Sequence, residues 1–91
     1  MDASEKQSAL FVQLVLMLHG AAMQNLGKIK NPATDKIERS LPAAQGMIDV
    51  MEMLQARTRG NCTPEEAKLL DHVLQELRLN YVDEVNKPES Q

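Results

Sequence analysis

Apolar residues are packed most densely between Ala9 and Leu26, and they cover far more than one side of a helix. Advancing 100° per residue, Leu10, Phe11, Leu14, Val15, Met17, Leu18, Ala21, Ala22 and Leu26 take up about half of the cylinder. Val12, Leu16 and Met23 add a second stripe with His19 set into it, and only Gln13, Gly20 and Gln24 mark a polar side. A surface helix of a small domain needs an apolar stripe only about 100° wide. A chain of 91 residues has little material with which to cover the remainder, so a partner surface is implied.

The pattern predicts two more helices. Ser40 caps the second, Pro42 sits in its first turn and Gly60 ends it. Its inward stripe is Leu41, Ala44, Met47, Ile48, Met51 and Leu54. Thr63-Pro64-Glu65-Glu66 opens the third with a cap, a proline in the first turn and a capping-box glutamate. Ala67, Leu70, Val73, Leu74, Leu77, Tyr81 and Val85 then form its stripe. The first helix is expected to open at Ser4, with Gln7 in the capping-box position, and to close at Gly27.

The expected fold is therefore all-α, with helices near 4–26, 41–59 and 64–85 in one domain over 1–86, and a disordered tail over 87–91. The short Gly60-Asn61-Cys62 link implies an antiparallel hairpin of the second and third helices. Helix one is expected to close it with Leu10, Leu14, Val15, Leu18 and Ala21. Residues 28–39 form a long connection with turn chemistry at Asn31-Pro32 and Thr34-Asp35, and Ile29 and Ile37 are expected to pin it to the helices.

The order of these signals resembles a small bacterial family known as domain of unknown function 1844. The matching residues are Leu26-Gly27, Asn31-Pro32-Ala33-Thr34, Ala44 before Met47-Ile48-Asp49-Val50-Met51, Thr58-Arg59-Gly60-Asn61, Thr63 with Glu66, and Leu77-Arg78 with Tyr81. The likeness spans roughly residues 10–82. The chain departs from it at Asp35, where the family tends to have Gly, and at Ser40, where it tends to have Asp. The resemblance implies a small helical protein and carries no activity.

Composition narrows the chemistry. The chain has no Trp, one Phe, one Tyr and six Met, so its core is built from Leu, Val, Ile, Met and Ala. One cysteine, Cys62, suits a reducing cytoplasm. Asp2 and Glu5 sit where a signal peptide would be positive, and Gln13 and His19 interrupt the apolar stretch, so neither export nor a membrane span is expected. His19, His72 and Cys62 are lone residues without metal-ligand spacing or a catalytic constellation, so no enzyme, metal or cofactor is expected. Lys28, Lys30, Lys36 and Arg39 make the connection basic, but Asp35, Glu38 and a net charge of −3 argue against nucleic acid.

What remains is association. Val12, Leu16, His19 and Met23 repeat at spacings of four, three and four, as in a coiled-coil seam, and Met53 adds an outward apolar residue on the second helix. These five residues are the expected interface of a homodimer, or of a contact with another protein. Protonation of His19 is expected to weaken that seam. The alternative is a carrier or groove for an apolar ligand or partner helix, lined by Met side chains.

Overall fold

The computed structural model describes residues 1–87. It contains three helices, α1 (Ala3–Asn25), α2 (Leu41–Thr58) and α3 (Pro64–Val85), each packed against the other two, and no strand among the described residues. Of the tail expected over 87–91, all but Lys87 lies outside the described residues, and Lys87 reaches back to Glu84 at 2.8 Å.

The cap of α1 lies two residues before the expected Ser4, and the helix begins at Ala3. Asp2 is the cap: its carboxylate accepts from the Glu5 amide at 2.8 Å, and Glu5 accepts from the Asp2 amide at 3.1 Å. Aspartate satisfies free amides as serine does and adds a negative charge at the positive end of the helix dipole, so it outcompetes Ser4. At the other end Lys28 N–H donates to Met23 O and Gly27 N–H to Gln24 O, the paired bonds of a Schellman closure. Gly27 has φ +77°, as that closure requires.

The capping expectations for α2 and α3 hold. The Ala43 amide donates to Ser40 Oγ, and the Thr63–Glu66 box is closed in both directions. Glu66 is also buried, with the Ser8 hydroxyl beside it, so this box ties the opening of α3 to α1.

The core comprises Val15, Ala22 and Leu26 from α1 and its closing turn, Ala44, Ile48 and Met51 from α2, and Leu70, Val73, Leu74 and Leu77 from α3. Phe11, Leu18, Met23, Met47, Leu54 and Tyr81 pack around them. The α2 and α3 residues follow the expected stripes except at Ala67 and Val85, which are exposed at the ends of α3.

Helix α1 is rotated from its expected setting. Leu10 and Leu14, expected to close the core, are exposed, and Ala21 is only half-buried. Leu10, Leu14, Met17, Ala21 and Phe11, Val15, Leu18, Ala22 are two apolar stripes with the same four-three-four spacing, one residue and about 100° apart. Hydrophobicity cannot choose between them. Polar tethers along α3 can: Ser8 lies beside Glu66, His19 Nε2 is 3.0 Å from Glu76 Oε1, and Lys28 reaches Glu84 just beyond the helix end. Ser8 and His19 are about three turns apart on one side of α1, and both point to α3.

The connection 28–39 is ordered by its own hydrogen bonds rather than by burial. Asn31 is the hub: its side chain accepts from the Ala33 amide and donates to Glu38, while its backbone bridges to Lys36. Ile29 and Ile37, expected to pin this segment down, are both exposed. Its anchors are ionic, at Lys28 and Arg39.

Candidate interaction surface

The five sequence-predicted interface residues do not lie on one free face. Val12, His19 and Met23 are half-buried, with His19 bonded to Glu76 and Met23 packed on the core. Leu16, between them, is exposed. The stripe thus runs along the edge where α1 meets α3, rather than on the side away from the other helices. Met53 is exposed on α2, as its position opposite the core stripe implies. The carboxylate missing from the stripe's own helix is supplied by Glu76 of α3.

The solvent side of α1 carries the other apolar stripe, next to Gln13 and the exposed Leu16. Leu10, Leu14 and Met17 are 53%, 41% and 63% exposed. From Gln7 to Gly27 the chain has no Asp, Glu, Lys or Arg, so this face is bordered by Gln7, Gln13 and Gln24 in place of charges. A solvated helix face ordinarily carries charged residues. On α2, Val50 and Met53 stand exposed with Gly46 one turn before Val50, and nothing approaches within 4 Å of where a Gly46 side chain would begin. Sequence periodicity contains both outward strips; what it lacks is the rotation of α1 that makes Leu10, Leu14 and Met17 the outer one.

The basic connection is committed internally. Glu84, buried on α3, faces Lys28 Nζ at 2.7 Å and Lys87 Nζ at 2.8 Å. Arg39 Nη2 donates to the Glu84 carbonyl at 2.7 Å. Arg39 Nε sits 3.0 Å from Glu84 Oε1, near enough for charge attraction although its N–H is not aimed along the hydrogen-bond line. The carboxylates of Glu84 and then Asp83, hydrogen-bonded to Lys28, push its pKa up, and the Lys28 ammonium in turn holds both carboxyls below the usual range. Two of the four cations that make the connection basic are therefore neutralised by α3.

Asp49 accepts from Gln45 on its own helix, and His72 is exposed on α3. Cys62 lies half-buried beside a cleft of about 330 Å³ walled by Gln55, Thr58, Arg59, Ala67 and Leu70, with no methionine in its lining. The six methionines are dispersed: Met51 is fully buried, Met23 and Met47 pack on the core, and Met1, Met17 and Met53 are exposed. Among the described residues no three His, Cys, Asp or Glu are grouped to hold a metal ion, and no helix is long and apolar enough to cross a membrane.

These features define a small all-α domain of three helices with an uncharged apolar face on its first helix. The chain belongs to the family described as a domain of unknown function, DUF1844, whose family model matches residues 8–83. That span takes in the Asn31 turn, the cap at Thr63 and the exposed stripe of α1. No curated protein and no solved structure matches the chain.

Proposed function

We propose that this protein is a non-catalytic, cytoplasmic interaction module of bacterial cells that associates with a second copy of itself through α1. The observation that carries the reading is the exposure of Leu10, Leu14 and Met17 on a helix side without charge. The contact residues are then Leu10, Leu14, Met17 and Ala21, in place of the seam over Val12, Leu16, His19 and Met23. Two-fold pairing fits because one stripe satisfies itself. The lone Cys62 suits a reducing compartment.

In this reading α2 and α3 run antiparallel. Arg39, just before α2, meets Glu84 near the end of α3, while Gln55 and Thr58 share a cleft with Ala67 and Leu70. That hairpin is the rigid base against which α1 is held with its outer stripe free.

Removing one half-exposed Leu or Met from water contributes about 1 kcal/mol, so the six in a pair contribute about 6 kcal/mol. Association costs begin at about 4 kcal/mol. The stripe alone supports a weak dimer. Sedimentation velocity of wild type and Leu14→Glu is the test. The wild type is expected to sediment as a dimer and the variant as a folded monomer with an unchanged helical circular dichroism spectrum. A monomeric wild type at 100 μM, or a variant as dimeric as the wild type, would sink the reading.

A further inference from the structure

Resting on that self-association, we propose that the two α1 helices pair antiparallel, about a two-fold axis between Leu14 and Met17. The first argument is shape. The outer stripe is bulky at its start, with Leu10 and Leu14, and small at its end, with Ala21 and Gly20 beside it; nothing lies within 4 Å of where a Gly20 side chain would begin. Antiparallel pairing with this axis sets Leu10 against the partner's Ala21 and Leu14 against the partner's Met17, so that large meets small. Parallel pairing sets leucine on leucine at one end and alanine on alanine at the other, which leaves a gap where apolar contact is needed.

The second argument is charge. The opening of α1 carries Asp2 as its cap and Glu5 in its first turn, whereas α1 has no basic residue in its last turn; beyond it Lys28 is already paired with Glu84, and exposed Lys30 supplies the basic charge at that end. In the antiparallel pair the acidic opening of each helix approaches the basic exit of the other. Lys6 comes opposite the partner's Asn25, at the negative end of the partner's dipole. Parallel pairing would set Lys6 on Lys6 and acid on acid. The same register brings Gln7 opposite the partner's Gln24, an amide pair in which each side chain donates and accepts. Lys6, Gln7, Leu10 and Leu14 thus all meet complementary residues under one symmetry operation.

Cysteine cross-linking tests orientation and register together. In a Cys62→Ser background, Leu10→Cys and Ala21→Cys chains are coexpressed and mildly oxidised, and each variant is also oxidised alone. The expected product is a disulfide joining one chain of each kind, at least tenfold more abundant than L10C homodimer. Gln7→Cys with Gln24→Cys repeats the test at the rim, leaving the apolar contact intact. A sample that sediments as a dimer but links L10C to L10C, or links neither mixed pair, overturns the antiparallel register while self-association stands. A sample that sediments as a monomer and forms no cross-link overturns self-association itself, and this proposal with it.

Discussion

At Asp35 the backbone takes φ +57°, a left-handed conformation that costs most L-residues about 1–2 kcal/mol and aspartate somewhat less. Its exposed carboxylate contributes little in return, since Lys30 Nζ is 3.9 Å away in open solvent. Asp35→Gly is therefore expected to raise stability by about 0.5 kcal/mol, read as a shift of the urea midpoint. Gly27 is the opposite case. It has φ +77°, and an added Cβ would stand 3.1 Å from Cβ of Arg39. Gly27→Ala is expected to cost about 1–3 kcal/mol, and a cost below half of that would show that the turn relaxes freely. Glu84 sets a larger scale. Breaking a fully buried ion pair costs about 3–5 kcal/mol; Lys28 and Arg39 are each 21% exposed, so Glu84→Gln is expected to cost about 2 kcal/mol in thermal or urea unfolding. Its carboxyl is held below the ordinary value of 4.5, chiefly by Lys28. That stabilisation is complete above pH 4.5 and is lost as the pH falls through the lowered folded-state value. Urea midpoints from pH 7 to pH 2.5 should fall less steeply for Glu84→Gln than for the wild type.

The helices show where sequence reading reaches and where it stops. Thr63, Ser40, Gly27 and Gly60 are legible because caps and closures depend on chemistry within three or four residues of themselves. The α2 and α3 stripes are legible because each is single. Helix α1 carries two stripes of equal period, and the choice between them is made by Glu66, Glu76 and Glu84, forty or more residues away. The same distance hides the partner of His19 and, with it, the true edge of the expected seam. Glu76 Oε1, 3.0 Å from His19 Nε2, can pair with a protonated imidazole, so acidification to pH 5.5 is expected to leave the α1–α3 contact intact. Hydrogen exchange of α1 amides at pH 7 and 5.5, corrected for intrinsic rates, checks this: matched protection supports the pair, and loss of protection at pH 5.5 refutes it. Glu76→Gln should make α1 protection fall at the lower pH. At the opening of α3, Thr63→Ala is expected to cost about 1 kcal/mol, the usual worth of a cap.

For the whole molecule, the arrangement divides labour between elements. The α2–α3 pair supplies seven of the ten buried apolar residues, and α1 with its closing turn supplies three. The first helix is thus held on one side and left apolar on the other, which is why its sequence has more hydrophobic positions than one small domain can cover. Self-association then predicts that the unfolding temperature rises with protein concentration, because only the folded state pairs. Scanning calorimetry between 10 and 300 μM checks this, and a concentration-independent midpoint for wild type with the same midpoint for Leu14→Glu would contradict it. That α1 is apolar over more than one face is legible in the sequence; which of its stripes stays exposed depends on tertiary tethers that no local pattern encodes.

The Glu84 cluster also bears on the order in which the chain assembles. It joins positions 28, 39 and 84, so it cannot close until nearly the last turn of α3 exists and has docked. Hydrophobic contacts around Ala22, Ile48, Met51 and Leu74 can gather earlier, with the connection still loose. Interactions absent from the folding transition state leave the folding rate nearly untouched and act on the unfolding rate. Glu84→Gln is therefore expected to speed unfolding by about tenfold or more while refolding changes by less than twofold, as stopped-flow chevrons would measure. The cluster works as a latch: it does little to bring the helices together and much to determine how long they stay together.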